Sequence, residues 1–227
     1  MEKAPQERYL FKPFYGSSHW WALNQIDKIP QSARVLDIGA GSGAIGKRLM
    51  EKGFQNLSAV EIDARARDYI TPIYKAVHES LNPYKNEKFD LILLLDVLEH
   101  TATPEQFLNE ILELLAPGGT ILISVPNIAH WSIRFSLLFG IFNYTDRGLL
   151  DKTHLQFFTR KRLMNAAMNP NVDASEFSAS TAPIEFLVPK TISGHPIFHY
   201  FSAARLFLAK MLPGLMAYQL LVSLKKR

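Results

Sequence analysis

The segment that most limits how this chain can fold is VLDIGAGSG, Val35 to Gly43. An apolar run with the length of a strand ends in a cluster of glycines, and a helix-compatible stretch follows from about Gly43 to Lys52. A strand that turns tightly into a helix leaves the first helical amides unpaired and facing outward. Glycine lets a ligand come close to that backbone. The remainder of the first half repeats the alternation. LSAVEI (57–62) reads as a second strand, with Asp63 placed to cap the next helix. FDLILLLD (89–96) is a continuous apolar run of the kind a parallel strand shows when it is covered on both faces, and Asp90 is expected in a turn. Thr103 and Pro104 open a helix that stops near Ala-Pro-Gly-Gly, and TILISV (120–125) is the next strand. Strands spaced by helices predict βαβ units and a parallel sheet.

After Pro126 the alternation loosens. Residues 127–156 are rich in aromatics and histidine and read as a lid-like insertion. A helix over 159–168, a strand-prone stretch over 176–187, an apolar helix over 197–211 and a final strand over 216–224 complete the pattern. The expectation is a single domain over 1–227, with an N-terminal helical segment at 1–32.

Composition narrows the function. Hydrophobic residues are 48% and charged residues 20%, which excludes global disorder. There is no cysteine, so disulfides, thiolate metal sites and cysteine nucleophiles are excluded. The net charge is +4, and basic residues cluster only at Arg160-Lys161-Arg162 and Lys225-Lys226-Arg227, so nucleic acid is not the expected partner. The opening MEKAPQERYL shows no basic segment ahead of an apolar core, and no apolar run reaches the roughly 18–20 residues of a membrane span. A cytoplasmic location, with a possible peripheral hold on a membrane, is the expectation.

Gly41, Gly43 and Gly46 match a dinucleotide fingerprint, and Glu61 stands 20 residues after Gly41, which leaves a nicotinamide-dependent oxidoreductase as one reading. Asp37 argues against it. A carboxylate at the strand mouth repels a pyrophosphate but attracts a cofactor that carries an ammonium and a sulfonium. With its strand, D-x-G-x-G-x-G resembles the first motif of the class I S-adenosylmethionine-dependent methyltransferases. AVEID (59–63), FDLILLLDVLEH (89–100) and LLAPGGTILISVPN (114–127) resemble their later motifs in order. The stretch from Pro126 to Thr159 is similar to a bacterial small-molecule or glycan-type subset. The resemblance implies an α/β, Rossmann-like methyltransferase fold: a mostly parallel seven-stranded sheet with helices on both faces and the last strand antiparallel.

It also implies roles. Asp37, Gly39, Ala40, Gly41 and Asp96 would line the methionine part of S-adenosylmethionine, Glu61 would hold the ribose hydroxyls, and Ile62 would pack on adenine. Glu79 would meet the adenine amino group. Gly46 is expected to serve helix packing rather than the ligand. For catalysis, His100 and His130 are candidate bases, each with an alternative role in packing its loop. Trp131, Arg134, Tyr144, Asp151 and His154 would border a small-molecule, glycan or lipid-linked acceptor, with O-methylation the expected outcome. No metal is expected; the i, i+4 pair His195 and His199 lacks a third ligand. A membrane surface is a possible partner through 128–143 or 197–211, and a non-catalytic binding module of the same fold remains an alternative. The number of assembled chains is not legible in the residues.

Overall fold

The computed structural model describes residues 11, 12 and 14–227. The rest of the expected N-terminal helical segment, 1–10 and residue 13, lies outside the described residues. Within 14–32 a helix, α1 (Ser18–Ile26), is capped by the Ser17 hydroxyl accepting from Trp20 N–H.

The alternating first half forms as read. β1 (Arg34–Ile38), α2 (Ala44–Glu51), β2 (Asn56–Val60), α3 (Ala64–Ile70), β3 (Ala76–His78), β4 (Phe89–Leu95), α4 (Pro104–Leu114) and β5 (Leu115–Pro126) follow one another. Then come α5 (Trp131–Leu138), α6 (Arg160–Ala166), β6 (Val172–Ala179), α7 (Pro196–Met211) and β7 (Gln219–Lys226), with single helical turns at Lys190–Ser193 and Pro213–Met216. The strands make one sheet in the order β3-β2-β1-β4-β5-β7-β6. Neighbours from β3 to β5 are parallel, and β7 runs antiparallel to both β5 and β6.

Successive strand side chains point to opposite faces, and each face has its own core. Leu36, Ile92, Leu94, Ile121 and Ile123 pack with α4 and α6 through Leu108, Ile111 and Leu163. Val35, Leu91, Leu93 and Leu122 pack with α1, α2 and α3 through Trp21, Ile45, Leu49 and Ile70. This double cover is the reason β4 reads as an unbroken apolar run.

The structure corrects several boundaries. The sixth strand occupies Val172–Ala179 rather than 176–187. Beyond it Pro183 and Pro189 cannot donate to a ladder, and Ile184–Phe186 winds into a 3-10 turn instead. The strand was hard to see because it is polar. As an edge strand it tolerates Asp173, paired with Arg227 at 2.6 Å, and a bulge between Ala174 and Glu176. The last strand begins at Gln219, not residue 216, because Pro213–Met216 forms a helical turn. Asp90 lies inside β4 rather than in a turn, and its carboxylate accepts from Arg34 N–H at 2.8 Å. The Ala-Pro-Gly-Gly stretch follows Leu115 within β5, where the register against β4 shifts.

Order reverses between β1 and β4, the switch point at which sheets of this kind form a ligand crevice outside the carboxyl ends of their strands. Gly46, on α2, fixes one wall. A Cβ there would overlap the hydroxyl and ring of Tyr74. At an open helix position Gly→Ala stabilises by about 1 kcal/mol. Here Gly46→Ala should instead destabilise by about 1–3 kcal/mol through overpacking, read as a lower urea midpoint at unchanged slope. In a Tyr74→Ala background the sign should return to stabilising; a stabilising effect with Tyr74 present would contradict the packing.

Candidate functional site

The crevice floor is the glycine turn. Gly39 has φ +72°, and an added Cβ would lie 2.8 Å from Val97 Cγ2, so both its conformation and its surroundings require glycine. Its N–H donates to Val60 carbonyl at 2.8 Å, which ties the end of β1 to the end of β2. Gly41 N–H donates to Glu61 Oε2 at 2.7 Å, and Asp63 N–H donates to Glu61 Oε1 at 2.9 Å. Asp63 caps α3 by accepting from Arg65 and Ala66 N–H, as the sequence suggested. Ile62, between buried Glu61 and the Asp63 cap, is 84% exposed. Arg67 donates to the carbonyls of Glu61 and Ile62 and pairs with exposed Glu79 at 3.4 Å, so the exits of β2 and β3 are fastened together.

Asp37 lies at the end of β1, buried, and accepts from the Tyr74 hydroxyl at 2.6 Å. Burial raises its carboxyl to about 6; the Tyr74 bond pulls the other way, and the nearby Glu61 charge adds to the rise. Asp96 ends the β4 segment with φ +59°, an uncommon conformation for a residue with a side chain. Its carboxylate accepts from Lys12 Nζ at 3.0 Å, Ser124 Oγ at 2.6 Å and Gln219 Nε2 at 2.5 Å. Burial alone would raise this carboxyl, but the Lys12 ammonium and the Ser124 hydroxyl outweigh it and hold it below the usual range. His19 Nδ1 accepts from Lys12 N–H at 3.0 Å, and burial, then the Lys12 charge, lower it to about 4.

A second group adjoins Asp96. Glu99 is buried, and neither carboxyl oxygen has a hydrogen-bond partner among the described residues. Burial, then the Asp96 charge, push it well above the carboxylate range. Its carbonyl accepts from Leu155 and Gln156 N–H, which brings the end of the insertion over the crevice. His100, exposed, sets Nδ1 3.1 Å from Thr153 carbonyl. His154 stacks edge-on against it with centroids 5.0 Å apart, and burial, then His100, lower its pKa. The donor atoms of Glu99, His100 and His154 lie within 4.8 Å of one another, a set of the kind that coordinates a divalent cation. The pair considered in the sequence does something else: His195 caps α7 by accepting from Ile197 N–H.

The other acceptor-side candidates are spread out. His130 is buried and caps α5, with Nδ1 accepting from Ser132 N–H, and burial lowers it to about 4. Arg134 donates to the carbonyls of Ala129 and Gly214. Trp131 and Tyr144 are exposed, and Asp151 accepts from Thr153 N–H and hydroxyl. Of the candidates, His100 and His154 are brought together beside Asp96. Lys12, His19, Tyr74, Ser124 and Gln219 were missed in the sequence. Lys12 and Gln219 stand 84 and 123 positions from Asp96, and no local pattern links them. A surface hollow of about 250 Å³ borders the start of α2 at Ser42 and Ala44. Another, about 260 Å³ between Arg34, Asn56, Lys75 and Glu87, lies at the amino ends of the strands, away from this chemistry.

A family model described as a methyltransferase domain matches residues 22–171. The chain is similar to a ubiquinone biosynthesis O-methyltransferase of a Caulobacter species, 30% identical over 109 residues, covering 43% of this chain and 42% of that one. It is also similar to the tRNA 5-carboxymethoxyuridine methyltransferase of Escherichia coli, 31% identical over 146 residues, covering 59% and 56%. It thus spans about half the length of these curated relatives. Among solved structures, an S-adenosylmethionine-dependent methyltransferase from Archaeoglobus fulgidus superposes with TM-score 0.58 at 18% identity, covering 95% and 97% of the two chains. A magnesium protoporphyrin IX methyltransferase from Synechocystis with bound SAH gives 0.62 at 10% identity, covering 92% and 84%. These two likenesses are likenesses of fold. With the strand order, the glycine turn and the acids at the strand ends, the match over residues 22–171 places the conclusion beyond the fold: the chain belongs to the methyltransferase domain family.

Proposed function

We propose that this protein moves a methyl group from S-adenosylmethionine to an oxygen of a small-molecule, glycan or lipid-linked acceptor. The observation that carries the reading is the row of acids at the carboxyl ends of adjacent strands, Glu61 after β2, Asp37 on β1 and Asp96 after β4, with an exposed Ile62 beside the first.

The donor set fits the cofactor. Each Glu61 oxygen receives one backbone N–H and keeps a lone pair for a ribose hydroxyl. Ile62 offers an open apolar surface to a purine. Asp37, ionised, answers an ammonium, and the glycine turn lets the ligand lie against the backbone. When bound, S-adenosylmethionine supplies a methyl carbon already activated by a positive sulfur. The chain's part is alignment and proton transfer. His100 serves as the base: with its Nδ1 proton directed at Thr153 carbonyl, the lone pair stays on Nε2, ready for an acceptor hydroxyl proton. His154 and Glu99 beside it favour their neutral forms, since burial opposes a charge on either.

The relatives are named for ubiquinone biosynthesis and for a tRNA nucleoside. The fate of the basic clusters favours the smaller acceptor. Arg162 donates to Gln156 and to Phe157 carbonyl, Lys226 to the carbonyls of Leu112 and Leu115, and Arg227 pairs with Asp173. With Arg160 over the Phe177 ring, four of the six clustered cations are engaged within the chain rather than arrayed for a phosphate backbone.

Calorimetry should show binding of S-adenosylmethionine and of its demethylated product. Glu61→Gln should weaken both roughly 10- to 100-fold, as expected for loss of a charge-assisted pair. A folded protein that binds neither overturns the proposal. Affinity should also depend on pH through Asp37. The carboxylate attracts an ammonium only when ionised, so affinity should hold above pH 6 and fall by up to about tenfold per unit below it. Asp37→Asn should remove that dependence. Because the raised pKa means the folded state holds this proton more tightly than the unfolded, its contribution to stability is present below pH 4 and lost as pH rises through 6. At pH 8 the Asn variant should therefore be more stable by about 1–3 kcal/mol, seen as a higher Tm, while binding the cofactor more weakly. A pH-independent affinity in the wild type would count against Asp37 as the ammonium partner.

A further inference from the structure

α7 lies on the protein with its faces reversed from the usual order. Its buried stripe is Ser202, Leu206 and Ala209, at the spacing of one helix face. The opposite stripe, turned to solvent, is more apolar: Ile197 (72% exposed), Tyr200 (78%), Phe201, Leu208 and Met211. α5 does the same, burying Ile133 while Trp131, Phe135 and Leu138 stand exposed, and Phe139 continues the series. The two segments are linked through the turn Pro213–Met216 that follows α7. Arg134 of α5 donates to Gly214 carbonyl at 3.1 Å, and Asn127 Nδ2 donates to Pro213 carbonyl at 3.2 Å, with Leu212 and Leu215 exposed at the junction. Soluble surfaces scatter such side chains singly; a contiguous field of them marks a docking surface.

Charge selects the occupant. Residues 127–145 and 186–227 contain no Asp or Glu. Arg134 donates to carbonyls alone among the described residues, and exposed Lys210 flanks the apolar stripe, so neither cation is cancelled by a carboxylate of the surface. Glu185, which reaches α7 at Ser202, is bonded to Arg205 at 3.1 Å. Two copies docked through this face would set like charges against each other across a two-fold axis. A bilayer of anionic phospholipid takes apolar side chains without matching their relief and answers the cations with its headgroups. No helix among the described residues is long and apolar enough to cross a membrane, so the contact is with a surface.

We infer that α7, with α5 and the junction at Leu212 and Leu215, seats the protein on the surface of an anionic phospholipid bilayer. The helices lie in the interface plane with Tyr200, Phe201, Leu208 and Phe135 in the acyl boundary and Arg134 and Lys210 at the headgroup level. The contact requires neither methyl donor nor acceptor, so it stands apart from the methyl-transfer reading.

Co-sedimentation of the whole chain with sucrose-loaded vesicles tests it. The protein should pellet with vesicles of equal parts phosphatidylcholine and phosphatidylglycerol, far less with phosphatidylcholine alone, and less as salt is raised. The double variant Phe201→Glu with Leu208→Glu, whose sites face solvent, should fold normally by circular dichroism and keep its oligomeric state. Its partition onto the anionic vesicles should drop at least about tenfold. Failure of the wild type to pellet with the anionic vesicles overturns the inference. So does a double variant that pellets like the wild type, or a wild-type dimer in sedimentation equilibrium that the two glutamates dissociate.

Discussion

The site depends on one carboxylate holding two turns. Glu61 takes the N–H of Gly41 on one oxygen and that of Asp63 on the other. The first bond closes the loop between β1 and α2; the second closes the loop between β2 and α3. The first N–H lies two positions ahead of the N-cap of α2 and the second is that of the N-cap of α3, so both are donors of the turns that lead into helices. An ionised carboxylate is the strongest acceptor available there, and buried backbone N–H groups without one would each cost about 1–3 kcal/mol. The acid proposed to meet the ribose is therefore also the one that holds the floor in place. Its geometry is set before any ligand arrives.

Next to it the same economy recurs with a different balance. Tyr74 packs against Gly46 and donates to Asp37, so the close approach of α2 and the position of the acid are one arrangement. A single hydrogen bond does not offset the burial of Asp37, and its carboxyl stays raised to about 6. A buried charge with one neutral donor is stressed, and a cation is what relieves it. Asp96, less enclosed than Asp37, already has an ammonium from Lys12, a hydroxyl from Ser124 and an amide from Gln219. The two acids flank the crevice at the ends of adjacent strands. One is satisfied by the chain, and the other is the acid proposed to meet the cofactor's ammonium.

How much of this was legible in the residues follows from how local each determinant is. The glycine turn, the Asp63 cap and the apolar run of β4 are written within a few positions, and all three form where the sequence put them. Gly46 as a packing residue was legible as well, although its partner, Tyr74, was not. β6 was misplaced because its stability comes from β7, about 40 positions later, and its own residues are polar as an edge strand permits. Lys12 and Gln219 were invisible for the same reason: they reach Asp96 only because the N-terminal segment and β7 return to the end of β4. The residues of the turn are local, whereas Lys12 and Gln219, which tune Asp96, come from the far ends of the chain.

Asp96 and Glu99 show why spacing alone could not assign their states. They stand three positions apart in one short motif, both carboxylic acids, Glu99 buried and Asp96 partly exposed. Lys12 reaches Asp96 and lowers it, while Glu99 points where no donor meets it and is raised by burial and by the charge on Asp96 itself. The charge on Asp96 thus adds to the rise that burial imposes on Glu99. The division arises from which of the two the N-terminal segment contacts. Moving Lys12 away from Asp96 would take away its largest favourable charge and leave the Ser124 and Gln219 bonds, so the difference between the two acids would narrow.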